Sequence, residues 1–181
     1  MNITFFSSVE FGSYMKGMTI ELRKYGYDVK LKHYVSSYSY RAAKSIYHRI
    51  LVRIKMYLMY PIYLGFYQLK NNKSGIDVIC SNTFYGPIIG ATLAPKNRHV
   101  FHLVYDLFPD ALIKSGTIKR DQVVAKLIEN LIKVTFRVCT YNIFIGKRLL
   151  YYTKARYKYL NKNYVIPVGA NSSIFCKERI R

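Results

Sequence analysis

Asn2-Ile3-Thr4-Phe5-Phe6-Ser7-Ser8, the interval Tyr14 to Tyr25, and Tyr27-Asp28-Val29-Lys30-Leu31-Lys32-His33 read as strand, helix and strand within about the length of one βαβ unit. The first run is β-branched and aromatic and stops at two serines. Met15, Met18, Ile20 and Leu22 permit a helix, which Gly26 is placed to end in the left-handed conformation that a residue without Cβ adopts freely. Tyr27, Val29 and Leu31 then alternate with Asp28, Lys30 and Lys32, one set for each face of a strand.

Outward from this opening the pattern repeats. Ile76 to Cys80 is a buried-type strand, Tyr85 to Leu93 a short apolar helix, and His99 to Tyr105 another strand. A long helix is expected from about Asp121 to Thr140, with Val124, Leu127, Ile128, Leu131, Ile132, Thr135 and Phe136 at helical spacing. Asn142 to Ile145 and Tyr164 to Pro167 are short strands on either side of a basic helix, Lys147 to Leu160. Strands that alternate with helices predict an α/β fold: a Rossmann-like parallel sheet with helices on both faces, in one domain spanning 1–181. A chain of 181 residues buries roughly 70% of its unfolded surface, enough for a sizeable core.

The charge is uneven. The chain carries 29 Lys and Arg against 9 Asp and Glu, a formal net charge of +20. No acidic residue lies between Asp28 and Asp77, where Lys30, Lys32, Arg41, Lys44, Arg49, Arg53, Lys55, Lys70 and Lys73 are interleaved with tyrosines. A second acid-free stretch runs from Glu129 to Glu178. Such segments attract polyanions, either nucleic-acid phosphates or anionic headgroups. Nucleic acid is disfavoured as the partner because no helix-turn-helix, RNP or GXXG pattern is present.

The segment at about 38–73 is apolar from Ile50 to Leu69, but Arg53 and Lys55 sit inside it and Pro61 is expected to break a straight helix. One helix or a pair of helices lying in a membrane interface fits this mixture better than a span does. Packing on the sheet accounts for part of the same aliphatics. Arg41, Lys44, Arg49, Arg53 and Lys55, with Arg148 farther on, are the candidate contacts for phosphate or lipid headgroups. The N-terminus has no basic region ahead of a long apolar run, so neither a signal peptide nor a span is expected there. Cys80, Cys139 and Cys176 show neither a paired framework nor metal-ligand spacing. The expectation is therefore a cytoplasmic protein, peripheral on the inner face of the membrane, with no metal and no cofactor.

In an open parallel sheet, ligands sit at the carboxyl ends of the strands. Ser7 to Ser13, Asn82 to Gly86 and Asp106 to Asp110 fall there. Gly12 would let a ligand approach the backbone, and the free N–H groups at the start of the next helix favour an anion. Asp106, at a strand end beside Pro109, is the candidate catalytic residue, able to orient an acceptor hydroxyl for transfer. The alternative is that it caps the next helix. Gly12, Ser13, Asn82 and Asp110 are the candidate acceptor contacts, and His102 is expected to be a packed, hydrogen-bonded histidine.

Three segments carry a family resemblance: Ile3 to His33 with Tyr25-Gly26-Tyr27-Asp28-Val29, then Val104-Tyr105-Asp106-Leu107-Phe108-Pro109-Asp110, then Val165-Ile166-Pro167-Val168-Gly169-Ala170-Asn171-Ser172-Ser173-Ile174-Phe175. In order and spacing they resemble the N-terminal domain of retaining nucleotide-sugar glycosyltransferases of the GT-B fold, specifically the family-four group. Departures include a lone Gly12 where relatives often have a glycine pair, Tyr105 where many have His, and Val168 and Asn171 in place of Asn and Asp. The resemblance implies the acceptor-binding half of an enzyme that moves sugar from a nucleotide-sugar to a lipid-linked or glycan acceptor. The donor would then be held by a second domain, absent from this chain, or by a partner chain. A non-catalytic membrane-recruiting subunit of a two-chain transferase is the other expectation.

Overall fold

The computed structural model describes residues 1–42, 45–158 and 160–167. Lys44 and the stretch from Val168 to Phe175 lie outside the described residues. The strands are β1 (Asn2–Val9), β2 (Asp28–Val35), β3 (Gly75–Cys80), β4 (Arg98–Val104), β5 (Tyr141–Phe144) and β6 (Asn163–Val165). They form one six-stranded sheet in the order β2-β1-β3-β4-β5-β6, and every pairing is parallel. The helices are α1 (Ser13–Lys24), α2 (Ser37–Arg41), α3 (Ile46–Ile54), α4 (Tyr60–Lys70), α5 (Gly86–Leu93), α6 (Asp110–Lys114), α7 (Val123–Val138) and α8 (Lys147–Tyr157). The fold is α/β and Rossmann-like, as the alternation of patterns predicts.

The strand order decides where the helices go. The chain moves one way from β1 to β2, then crosses back over β1 and continues in one direction from β3 to β6. Right-handed crossovers therefore put α1 on one face and the later helices on the other. The core divides accordingly. Met15, Met18 and Leu22 of α1 pack with Ile3, Phe5, Val78, Leu103 and Ile143. On the opposite face Tyr60 and Leu64 cover Phe6, Ile79 and Val100, while Ile128, Ile132 and Phe136 cover Val104 and Phe144. A Cβ at Gly90 would collide with the Cδ1 atom of Ile79, so glycine sets how closely α5 lies on β3.

Element limits move by a few residues. β2 runs on to Val35 because its ladder with β1 continues to Val9. α1 ends at Lys24, with Gly26 at φ 82° and the Tyr27 N–H donating to Leu22 O (3.3 Å). The larger difference lies at Pro61. The helical backbone passes without a break from Ile46 to Lys70, and the widened turn needed to seat a proline is a π-type stretch, Lys55–Met59, directly before it. Such a turn spares the proline ring the carbonyl it would strike in a regular α-helix, so the rod continues where a break was expected.

A buried ion pair ties this rod to the sheet. Asp77 on β3 is 0% exposed and the Arg98 side chain on β4 is 1% exposed. Arg98 Nε donates to Asp77 Oδ2 (2.7 Å), Arg98 Nη2 pairs with Asp77 Oδ1, and Gln68 Nε2 of α4 donates to Asp77 Oδ2 (2.9 Å). Arg98 Nη1 also donates to the Lys73 carbonyl (2.8 Å), which anchors the loop between α4 and β3.

His102 is packed and hydrogen-bonded as the sequence suggests. Its Nδ1 lies 3.3 Å from Asn142 Oδ1, and Nε2 is buried with no partner among the described residues. Burial pushes its pKa down to about 4, partly opposed by the Asn142 contact. The folded-state value is below the ordinary 6.5, so the unfolded chain binds the proton more tightly. Stability is full above pH 6.5 and falls as pH drops toward 4, by a total on the order of 3 kcal/mol. Urea titrations from pH 7 to pH 4 should show this slope, and His102→Asn should flatten it; an unchanged slope in the variant would reject the assignment.

Candidate functional site

At the carboxyl end of the sheet the strand order reverses between β1 and β3, the position where open α/β sheets hold ligands. A cleft of about 300 Å³ occupies it, lined by Ser7, Glu10, Phe11, Gly12, Met15, Cys80, Asn82 and Tyr105. Gly12 is the N-cap residue of α1, and no side chain caps the helix there. A Cβ at Gly12 would meet nothing within 4 Å, so the glycine leaves open space for a ligand rather than serving an internal contact. Ser13 opens α1 beside it.

Hydrogen bonds fix the cleft walls. Asn82 Nδ2 donates to Ser7 Oγ (2.7 Å), while Asn82 Oδ1 is buried with no protein partner among the described residues. Glu10 receives Lys16 Nζ at Oε1 (3.0 Å) and the Ser37 N–H at Oε2 (3.1 Å), and these contacts hold its pKa below the usual carboxylate value. Burial pushes the Cys80 thiol well above its ordinary range, which makes it an inert wall. Ser81 Oγ accepts from the N–H groups of Tyr105 (2.9 Å) and Asp106 (3.1 Å), so β3 positions the loop that follows β4.

Asp106 is exposed, and its carboxylate makes no cap: α6 starts at Asp110, its N-cap is Pro109, and no side chain bonds to it. The Tyr57 hydroxyl, on the π-type stretch, has its pKa raised chiefly by burial and also by Tyr40 and Asp106, although Arg53 opposes this. The Thr83 hydroxyl, on the loop after β3, donates to the Met56 carbonyl (3.4 Å), so the rod reaches this end of the sheet. Asp110 is differently placed. It pairs with Arg156, accepts from the Tyr152 hydroxyl (3.0 Å) and lies 3.7 Å from Arg120 Nη2, which locks α6 to α8. Arg148 is exposed on the first turn of α8.

Comparison with protein-family models finds no match, and comparison with curated proteins finds none either.

The rod has two faces. Val52, Met56, Tyr60, Leu64 and Gln68 are buried against the sheet, and Leu51, Ile54, Leu58, Ile62, Phe66 and Leu69 form an outward apolar stripe beside Arg49, Arg53 and Lys55. Residues 45–51 are exposed on every side, with Tyr47 at 82%. An apolar groove of about 540 Å³ runs along the contact between α4 and α5 and is lined by Leu58, Ile62, Phe66, Ile89 and Leu93 among others. Next to α5, α7 turns out a second stripe of Val124, Leu127, Leu131, Val134 and Val138. No helix among the described residues is long and apolar enough to cross a membrane.

The structure thus brings Gly12, Asn82 and the start of α1 into one cleft, puts Asp106 on the neighbouring loop, and ties Asp110 into an ion-pair cluster away from the cleft lining. Arg41, Arg49, Arg53 and Lys55 are all exposed. Sequence reasoning missed Glu10 and Ser81, whose partners are distant along the chain. It also assigned α7 no outward face, although apolar residues on two sides of one helix were there to be counted.

Proposed function

We propose that this chain is the acceptor-binding half of a retaining glycosyltransferase that works at a membrane surface, with the nucleotide-sugar donor held by a second domain or a partner chain. The observation that carries the reading is an exposed carboxylate at a strand end, Asp106, which caps no helix and lies on the loop beside a switch-point cleft, with the basic, apolar rod at the same end of the sheet. The cleft receives the acceptor sugar, with Gly12 giving backbone access and Asn82 Oδ1 seeking a hydroxyl donor. Asp106 orients the attacking hydroxyl. The stripes of the rod and α7 rest on the acyl boundary while Arg41, Arg49, Arg53, Lys55 and Arg148 meet headgroup phosphates. A lipid-linked acceptor then enters from the surface on which the protein sits.

The test joins the chain to a donor-binding half, by fusion or by mixing, and follows labelled sugar into lipid-extractable product. Label in the lipid fraction is the expected result. If sugar reached no acceptor from any nucleotide donor while both halves were folded, the transferase reading would be wrong.

Docking has its own measurement. Each Lys or Arg near an anionic surface contributes roughly 1 kcal/mol, so replacing Arg41, Arg49, Arg53 and Lys55 by Gln should release the protein from phosphatidylglycerol vesicles, and salt should weaken the wild type. Equal binding to neutral and anionic vesicles would reject an electrostatic role for the rod.

A further inference from the structure

At the opposite end of the sheet, near the amino ends of β1 and β2, lies a polar cavity of about 240 Å³ whose lining includes Thr4, Lys30, Lys32, Tyr67, Lys73 and Arg98. It exists because α4 covers β1 and β3 but reaches β2 only farther along, where Tyr63 packs on Tyr34, and leaves the amino half of β2 open on that face. Lys30 pairs with Thr4 across the ladder, and Lys32 follows two residues on, so both point to that uncovered face. The floor is rigid, since it is the buried Asp77–Arg98 pair, and Arg98 also holds the Lys73 carbonyl (2.8 Å).

The donors around this cavity are incompletely used. Asn71 Nδ2 donates to the Tyr67 hydroxyl oxygen (2.6 Å), so the Tyr67 proton must point elsewhere, and its only contact among the described residues is Thr4 Oγ1 at 3.5 Å, too long for a good hydrogen bond. Lys32 Nζ sits 4.1 Å from the centroid of the Tyr67 ring, with no carboxylate partner among the described residues. Lys73 has no carboxylate partner among them either. Lys30 lies 3.4 Å from Asp28, an exposed pair that water screens. Asp28 is the single acidic group of the lining, set against Lys30, Lys32, Lys73 and Arg98.

We propose that this cavity is a phosphate-binding cradle, separate from the acceptor cleft, that takes a phosphate group in dianionic form. Lys32 and Lys73 supply the charge, the Tyr67 hydroxyl and the Thr4 hydroxyl donate to its oxygens, and the Asp77–Arg98 floor keeps the donors in place. The same chemistry is presented by free phosphate or a soluble phosphomonoester and by a phosphomonoester lipid headgroup.

Titration of the full chain with inorganic phosphate, at constant ionic strength made up with chloride and followed by calorimetry, should give saturable one-site binding. Lys32→Gln should weaken it at least tenfold. Tyr67→Phe, which removes one hydroxyl and keeps the ring under Lys32, should weaken it several-fold with the melting temperature little changed. Vesicles containing phosphatidic acid, compared with phosphatidylglycerol at equal charge, distinguish the source. A Lys32→Gln defect confined to phosphatidic acid vesicles assigns the headgroup, and a defect with inorganic phosphate alone assigns a soluble ligand. If both variants bound phosphate and phosphatidic acid as the wild type does, or neither probe bound saturably, the cradle would be rejected. Because Lys32, Lys73 and Tyr67 are not among the docking residues or the cleft lining, failure here leaves the transferase reading standing, and the converse holds too.

Discussion

Asp77→Ala should cost about 3–5 kcal/mol of folding stability, because it strands the Arg98 guanidinium, 1% exposed, without a counter-charge inside the protein. That is a large part of the margin of an ordinary domain. Gln68 Nε2 loses its acceptor as well. Replacing both charges, Asp77→Leu with Arg98→Met, should be far milder than either single change, since a buried pair offsets little more than its own desolvation. Urea unfolding followed by circular dichroism would measure both. If Asp77→Ala proves too unstable to purify, the double variant still decides the matter. A double variant as damaged as the single one, or a single variant that loses under 1 kcal/mol, would mean that the pair is not the clasp between α4 and the sheet.

Asp106→Asn should slow transfer about a hundredfold in the joined enzyme, the range usual when acid–base assistance is lost. Its effect on stability should be small, and the same holds for Asp106→Ala, because this carboxylate bonds to no helix end and changes at such exposed sites stay within about 0.5 kcal/mol. The pair of variants separates two roles. Loss of turnover with an unchanged melting temperature supports a residue that orients the acceptor. Full turnover in Asp106→Asn beside a destabilised Asp106→Ala would show a structural carboxylate and remove the chief catalytic assignment.

The sheet was legible in the sequence because each strand and helix carries its own period. Alternation at Tyr27 to Leu31, the glycine after α1 and the compact apolar run at Ile76 to Cys80 are local signals, and tertiary packing did not override them. The position of the cleft was legible too, since strand ends attract ligands whatever the side chains. Long-range partnership was not. Asp77 and Arg98 stand apart along the chain and look like two unrelated surface charges, yet together they occupy the interior. Asp110 reads as a site carboxylate from its place after Pro109, and only the arrival of Arg156 from α8 shows where its charge is committed. Pro61 misleads for a different reason, because proline forbids an ordinary α-turn but not a wider one.

That wider turn has a rotational consequence. Among the buried residues of the rod, Val52, Met56, Tyr60, Leu64 and Gln68 follow one another every four positions. In a regular α-helix, four residues advance about 40° beyond a full turn, so four such steps would carry the inward side about 160° round the axis. The stretch Lys55–Met59 takes up about 100° of that excess, the rotation of one residue, and so keeps Gln68 aimed at Asp77. Removing one residue from the stretch would restore an α-turn and leave everything after it on the same side, because a π-type turn is an α-turn that holds one extra residue. Leu64 and Gln68 would stay on the sheet, and the cost would fall on Pro61, whose ring would again strike a carbonyl. The spacing between Val52 and Tyr60 is thus a count fixed by the proline that follows it, even though most side chains along it are exposed and individually replaceable.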